Sequence, residues 1–188
     1  MMLSDIPQDK SLFLFELDDV LFSKRDYLLQ VYYLFGSFYE FTEASVQAAE
    51  MAEFMKKIYD HHGETAVFPA TQLMFGIDEK YEDNLHRLKA NAQLPLKLLI
   101  AESVAALLMK LMEDGKQIAI LTKGNPVEQL NKLKFLDWGI ADKVKDKLKV
   151  YFVDELEFKS FNPIDYIASE YDVEKDQIFI VDQITTRV

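Results

Sequence analysis

The chain has 188 residues, of which 49% are hydrophobic, and carries a net charge of -11. This composition supports a packed core of one domain, with or without an inserted subdomain, and excludes a disordered chain. The negative charge disfavours nucleic acids and anionic membranes as partners, and the absence of cysteine excludes disulfides and thiolate metal sites. We find no signal peptide and no apolar run of about 18 residues, so we expect a cytoplasmic protein.

The first predicted strand is Leu12 to Phe15, where four consecutive apolar residues are typical of a strand buried on both faces of a parallel sheet. Acidic residues follow it at Glu16, Asp18 and Asp19. Ligands of open α/β sheets bind just outside the carboxyl ends of strands, so we expect these carboxylates to face a cation or a phosphate-bearing ligand. An ordinary acidic loop after a core strand is the alternative explanation.

A long helical stretch follows the first strand. The segments with a helical apolar pattern are 28–38, 48–59, 64–73 and 79–90. A connection of about 70 residues without a strand is too long for a loop inside a compact domain. We therefore predict an all-helical subdomain at 24–94, inserted into an α/β core formed by 1–23 and 95–188.

The remaining sequence alternates helices and strands. The predicted elements are a helix at 104–111, a strand at 117–121, a helix from Asn125-Pro126, a strand at 149–153, a helix from Asn162-Pro163 and a strand at 177–181. Asn as N-cap and Pro in the first turn are strong helix-start signals. Alternating strands and helices predict right-handed crossovers and a doubly wound parallel sheet, although the pattern leaves the order of its strands open.

Polar residues follow the predicted strands at what becomes one edge of a parallel sheet. Thr122 and Lys123 follow the second strand, and Asp182 follows the last one. Lys159 lies in the predicted loop before the helix at Pro163. We expect these residues near Glu16 and Asp18. Each one taken alone is also explained as a turn residue or a solvated lysine.

The order of these residues resembles the motif series of the haloacid dehalogenase-like hydrolases. The matching segments are Glu16-Leu17-Asp18-Asp19-Val20-Leu21 for the first motif, Ile118 to Asn125 with Thr-Lys-Gly for the second, Lys159 for the third, and Ile178 to Asp182 for half of the fourth. The inserted helices resemble the cap that this family often carries after its first strand. The likeness covers nearly the whole chain.

The resemblance implies a magnesium-dependent phosphomonoester hydrolase that acts on a small phosphorylated metabolite. The implied roles are catalysis for Glu16 and Asp18, phosphate binding for Thr122, Lys123 and Lys159, and Mg²⁺ coordination for Glu16, Asp18 and Asp182. In this scheme the first acid attacks phosphorus and Asp18 is the general acid and base. Mg²⁺ and lysine would offset the negative charge of both the phosphate and the chain.

Two departures from the family pattern affect the expected activity. Glu16 replaces the nucleophilic aspartate, and its extra methylene moves the carboxylate by on the order of 1 Å, which can cost roughly a hundredfold in rate. In the fourth motif, Val181 replaces a glycine and no second acid follows. We expect weak or lost activity, and a catalytically inactive protein of the same fold that binds or interacts is the alternative.

The family's fifth strand and last helix are also missing, either because the protein lacks them or because the chain is a fragment. The resemblance then places the strand at 177–181 at an open edge of the sheet. An apolar edge strand is an aggregation hazard. We therefore expect it to be covered, either by a second copy in a homo-oligomer or by the tail at 183–188.

Overall fold

The computed structural model of the chain describes residues 6–7, 9–45 and 47–182. They belong to two units, a helical unit, Arg25–Leu96, and a sheet unit, Met1–Lys24 with Lys97–Val188. That 24–94 acts as a cap stays a prediction. No helix in the described part of the chain is long and apolar enough to cross a membrane.

The sheet unit contains a parallel sheet with the strands that the sequence predicted. They are β1 (Leu12–Phe15), β3 (Gln117–Thr122), β5 (Lys149–Phe152) and β6 (Ile178–Val181). Their spatial order is β5-β3-β1-β6, and each neighbouring pair is parallel. This confirms the α/β class and places β6 at an edge among the described strands. The predicted start of β6 at 177 is wrong, because Gln177 ends a short 3-10 helix.

A second, two-stranded parallel sheet joins β2 (Leu98–Leu99) to β4 (Leu136–Asp137). The sequence pattern did not predict it. Two residues are too few to show an alternating or continuous apolar pattern, so strands of this length have no periodicity to detect.

Five helices of the described chain surround the sheets of this unit. They are α5 (Glu102–Glu113), α6 (Pro126–Phe135), α7 (Asp142–Lys145), α8 (Val153–Phe158) and α9 (Pro163–Tyr171). The predicted helix starts are confirmed, since Asn125 accepts from the Val127 amide at 2.9 Å and Asn162 from the Ile164 amide at 3.0 Å. Buried residues of β1, β3 and β5 pack with Leu156 of α8 and Ile167 of α9, which covers one face of the sheet.

The charged stretch after β5 is helical, which corrects the sequence analysis. The predicted strand at 149–153 ends at Phe152, and the predicted loop before Asn162 contains α8. Buried Leu156 anchors this short helix, and Asp154 and Glu155 in its first turn interact favourably with the helix dipole. Lys159 therefore follows a helix end directly.

The helical unit agrees with the predicted helical stretches. Its helices are α1 (Lys24–Glu43), α2 (Ala48–His62), α3 (Val67–Phe75) and α4 (Tyr81–Asn91), with a 3-10 turn at Glu64–Ala66. The pattern at 64–73 is thus a 3-10 turn followed by a helix. Gly36 of α1 lies against Ala48 of α2, where a Cβ atom would stand 2.7 Å from the Ala48 carbonyl oxygen. Glycine is therefore required for the close approach of these two helices.

Candidate functional site

The ends of β1 and β6 place two acidic residues side by side. Phe15 and Val181 are partners in the register of these strands, and the Glu16 amide donates to the Val181 carbonyl oxygen at 3.0 Å. Glu16 and Asp182 are the next residues of the two strands. The structure thus brings together two carboxylates that are 166 positions apart in the sequence.

The backbone after β1 forms a tight turn that holds Asp18. The Leu21 amide donates to the Leu17 carbonyl oxygen at 3.1 Å, and the Asp19 amide donates to the Phe22 carbonyl oxygen at 2.8 Å. Asp19 has a φ of 59°, a left-handed conformation that aspartate adopts more readily than most residues. Its side chain accepts from the Lys24 amide at 2.8 Å. Asp19 therefore has a structural role at the start of α1.

Electrostatics link the three acids of the predicted site. Glu16 is exposed as a whole residue, yet partial burial of its carboxyl group raises its pKa, and the negative charges of Asp182 and Asp18 raise it further. The negative charges of Asp182 and Asp18 thus disfavour ionisation of Glu16. This edge of the sheet is therefore a strongly negative site.

Lys132 of α6 contacts an acid of the predicted site, which the sequence analysis missed. Its ammonium bonds both carboxylate oxygens of Asp18, at 3.0 and 2.9 Å, and pairs with Glu128 at 2.9 Å. Its exposed fraction is only 1%, whereas the Asp18 and Glu128 side chains keep some contact with solvent. Lys132 holds the Asp18 side chain and offsets part of the negative charge.

The loop after β3 is held from two sides. Thr122 is the last, buried residue of β3, and Lys123 after it is exposed. The Gly124 amide donates to an Asp154 oxygen at 3.0 Å, and the Gln129 side-chain amide donates to the Lys123 carbonyl oxygen at 2.6 Å. Gly124 has a φ of 106°, which favours glycine. These contacts hold Thr122 and Lys123 at the end of β3.

Lys159, the predicted third-motif lysine, is exposed, and its amide closes the end of α8 by donating to the Glu155 carbonyl oxygen at 3.1 Å. In the described part of the chain, the lysine that bonds an acid of the site is Lys132 and not Lys159. Phosphate binding by Lys159 stays a prediction.

Lys132 and Gln129 were missed because α6 reverses the usual burial pattern. Both are buried, whereas Val127 and Leu130 of the same helix are 52% and 53% exposed. The detectable signal was Glu128 four residues before Lys132, a spacing that brings opposite charges together on one helix face. That spacing alone is far commoner on solvated helix surfaces, so it does not identify a site.

The donors at this edge fit a hard cation with few protein ligands. Among the described residues, no group of three or more His, Asp or Glu side chains is arranged to hold a metal ion. Lys132 engages the Asp18 carboxylate, so coordination of a cation by Asp18 through its backbone carbonyl, with Glu16 and Asp182 as the other ligands, stays a prediction. Mg²⁺ is commonly bound through one or two carboxylates, with water and substrate oxygens completing its octahedron.

Comparison with known proteins establishes the fold. No family model matches the chain, and no curated protein matches it. A hydrolase from Deinococcus radiodurans with bound phosphate and sodium is 14% identical over 95% of this chain and 75% of its own, with a TM-score of 0.54. A haloacid dehalogenase-like hydrolase from Xanthomonas campestris is 14% identical over 94% and 75%, with a TM-score of 0.52. A dehalogenase solved with an intermediate is 13% identical over 93% and 77%, with a TM-score of 0.50.

Proposed function

We propose that this chain, which has the fold of the haloacid dehalogenase-like hydrolases, binds a small phosphorylated metabolite together with Mg²⁺ and hydrolyses it slowly or not at all. The observation that carries the proposal is the group of three acids at the ends of neighbouring strands, where partial burial and the negative charges of Asp182 and Asp18 raise the pKa of Glu16. A bound cation would offset the repulsion between the negative charges of these acids.

Mg²⁺ would be held by Glu16, Asp182 and the Asp18 carbonyl. When bound, it supplies positive charge that offsets the charge of a phosphate group. The Deinococcus radiodurans hydrolase holds phosphate and sodium, so the fold accommodates an anion and a cation in that protein. The phosphate oxygens would lie by the Thr122 hydroxyl and the ammonium groups of Lys123 and Lys159, which follow strand or helix ends of the sheet unit.

Two features of the chain itself support slow turnover. Glu16 carries its carboxylate one methylene further from the backbone than aspartate does, which misplaces it for attack on phosphorus. Both Asp18 oxygens accept from Lys132, so proton transfer to a leaving group requires that at least one of these bonds breaks.

The same bonds support a second candidate, a binding protein without turnover. Since Lys132 is buried and paired with both Asp18 and Glu128, the Asp18 side chain is held as a fixed charge. A site of fixed charges binds a cation and an anion without any proton transfer. The two candidates share the ligand and differ in turnover.

The first test measures hydrolysis of 4-nitrophenyl phosphate with Mg²⁺ and with a chelator. A rate above background that disappears with chelator supports the enzyme. Absence of turnover, together with a higher melting temperature in Mg²⁺ and inorganic phosphate, supports the binding protein.

The Glu16→Ala variant tests the cation site in both cases, because it removes a ligand. We expect Mg²⁺ to raise the melting temperature of the wild type and of Glu113→Ala, an exposed acid on α5, but to have little effect on Glu16→Ala. An equal effect of Mg²⁺ on all three proteins would refute the proposed cation site.

A further inference from the structure

The helical unit contains a cavity of about 440 Å³ that the proposed function does not use. Its lining residues are Tyr32, Glu64, Thr65, Val67, Phe68, Glu82, Leu85, His86 and Lys89. All of them belong to α1, the 3-10 turn, α3 and α4. The volume lies within the range of small-molecule sites, about 300–1,000 Å³.

One residue that lines the cavity, Tyr32, has a buried hydroxyl group for which no hydrogen-bond partner is found in the described part of the chain. Tyr32 is 1% exposed, and its hydroxyl oxygen forms no hydrogen bond with the described chain. Buried hydroxyl groups nearly always form a hydrogen bond, because a buried hydroxyl without a partner loses its hydrogen bonds to water and gains none in return. The surrounding side chains of Val67, Phe68 and Leu85 are buried and apolar and offer no such bond. The hydroxyl therefore indicates a missing polar ligand atom.

The charged residues of the cavity are mainly acidic. Lys89 pairs with Glu64 and is thereby largely neutralised. No ion pair of the Glu82 carboxylate is found in the described part of the chain. Burial raises the pKa of Tyr32, and the negative charge of Glu64 raises it further, so the hydroxyl stays protonated. The uncompensated charge at the cavity is negative.

We propose that this cavity binds a small organic ammonium ion, an amine attached to an apolar body. The ammonium N–H groups would donate to the Tyr32 hydroxyl oxygen and to the Glu82 carboxylate. The apolar body would contact Val67, Phe68 and Leu85. An anion is disfavoured by Glu82, and a wholly apolar ligand leaves the hydroxyl unbonded.

The proposal is independent of the proposed function, because no residue of the cavity belongs to the sheet unit. It is tested by calorimetric titration of the full chain with 2-phenylethylamine at neutral pH. The matched probes are 2-phenylethanol, which is uncharged, and phenylacetate, which is anionic. The variants are Tyr32→Phe and Glu82→Gln, with Glu79→Gln as an exposed acid outside the cavity.

We expect saturable binding of 2-phenylethylamine that is tighter than that of 2-phenylethanol, with no binding of phenylacetate. Glu82→Gln should weaken amine binding by roughly tenfold, as expected for a lost hydrogen bond to a charged group, while Glu79→Gln should not change it. Tyr32→Phe should weaken binding and leave the melting temperature of the free protein unchanged or higher, since only an unpaired hydroxyl is removed.

Three results would overturn the proposal. The first is no saturable binding of the amine up to about 20 mM, the weak end of measurable affinity. The second is equal affinity for the amine and for phenylacetate. The third is equal affinity of the wild type and both cavity variants for the amine. Circular dichroism and the melting temperature show whether each variant is folded, so that loss of binding through unfolding is recognised.

Discussion

Glu16 differs from the aspartate of the resembling hydrolases by one methylene, and this difference is directly testable. We expect Glu16→Asp to raise hydrolysis of phosphate monoesters by up to about a hundredfold, because a carboxylate moved by about 1 Å regains the attack geometry. The measurement is the Mg²⁺-dependent rate over a panel of phosphate esters. Folding stability should change little, since Glu16 is exposed.

Adding Asp18→Asn to Glu16→Asp provides the control. It removes the proton donor but keeps the size of the side chain, so the gained activity should be lost. If Glu16→Asp alone gains nothing over the wild type, the incomplete fourth motif limits the site. The binding protein would then be the better description.

Lys132 is buried and bonded to two carboxylates, so we expect Lys132→Met to destabilise the protein. Removal of one partner leaves the other charges unpaired, at a cost of about 3–5 kcal/mol for a fully buried pair. Asp18 and Glu128 keep some contact with solvent, so we expect about 2 kcal/mol and a fall in melting temperature of about 4–8 °C.

Lys134→Met is the matched control for Lys132, because Lys134 lies on the same helix and is exposed. Its melting temperature should stay within about 1 °C of the wild type, as is usual for surface substitutions. If the two variants are equally stable, the buried ion pairs are not formed in solution.

At the scale of elements, α6 has the reverse of the usual burial pattern, with polar side chains buried and apolar ones exposed. Its buried side chains include Gln129 and Lys132, and its exposed ones include Val127 and Leu130. Amphipathic patterning assigns the apolar residues to the interior, because burial of apolar surface normally dominates. Here the interior side of the helix faces polar groups, namely the Asp18 carboxylate and the Lys123 carbonyl oxygen.

The close approach of α1 and α2 depends on Gly36. Gly36→Ala places a methyl group 2.7 Å from the Ala48 carbonyl oxygen, closer than real Cβ atoms come. We expect a destabilisation of about 1–3 kcal/mol from overpacking, although alanine favours an isolated helix. The measurement is urea unfolding, with Ser37→Ala on the same helix as control. A Gly36→Ala variant as stable as this control would show that the helices are further apart.

At the scale of the whole molecule, the sheet has an edge strand that we propose is covered by a second copy of the chain. Ile180 of β6 is 38% exposed, and β1 is the one described strand that pairs with β6. The alternative cover, the tail at 183–188, lies outside the described residues. An open apolar edge favours pairing with another strand, which makes a homodimer the expected state.

Ile180→Lys tests this contact, because a charge on an edge strand opposes pairing. We expect sedimentation to show a dimer for the wild type and a monomer for Ile180→Lys. Leu73→Lys, at an exposed position of α3 in the helical unit, should remain dimeric. A monomeric wild type would exclude the homo-oligomer.

Several features of this protein follow from local sequence. The apolar run at Leu12 to Phe15 determined a buried parallel strand, and Asn162 followed by Pro163 determined a helix start, because both depend on neighbouring residues. The helix α8, by contrast, depends on the burial of Leu156 against the sheet. It was predicted as a loop because three of its six residues are acidic, which is typical of a solvated segment.

The candidate site likewise has residues that the sequence predicts and contacts that only the tertiary structure decides. Glu16, Asp18 and Asp182 were predictable, since each directly follows or closely follows a strand and parallel strands end at one edge. The strand order β5-β3-β1-β6, the partnership of Lys132 with Asp18 and the unpaired Tyr32 hydroxyl were decided by the tertiary structure. Burial and bonding of a polar side chain depend on residues far apart in the sequence, which the periodicity of a single segment does not encode.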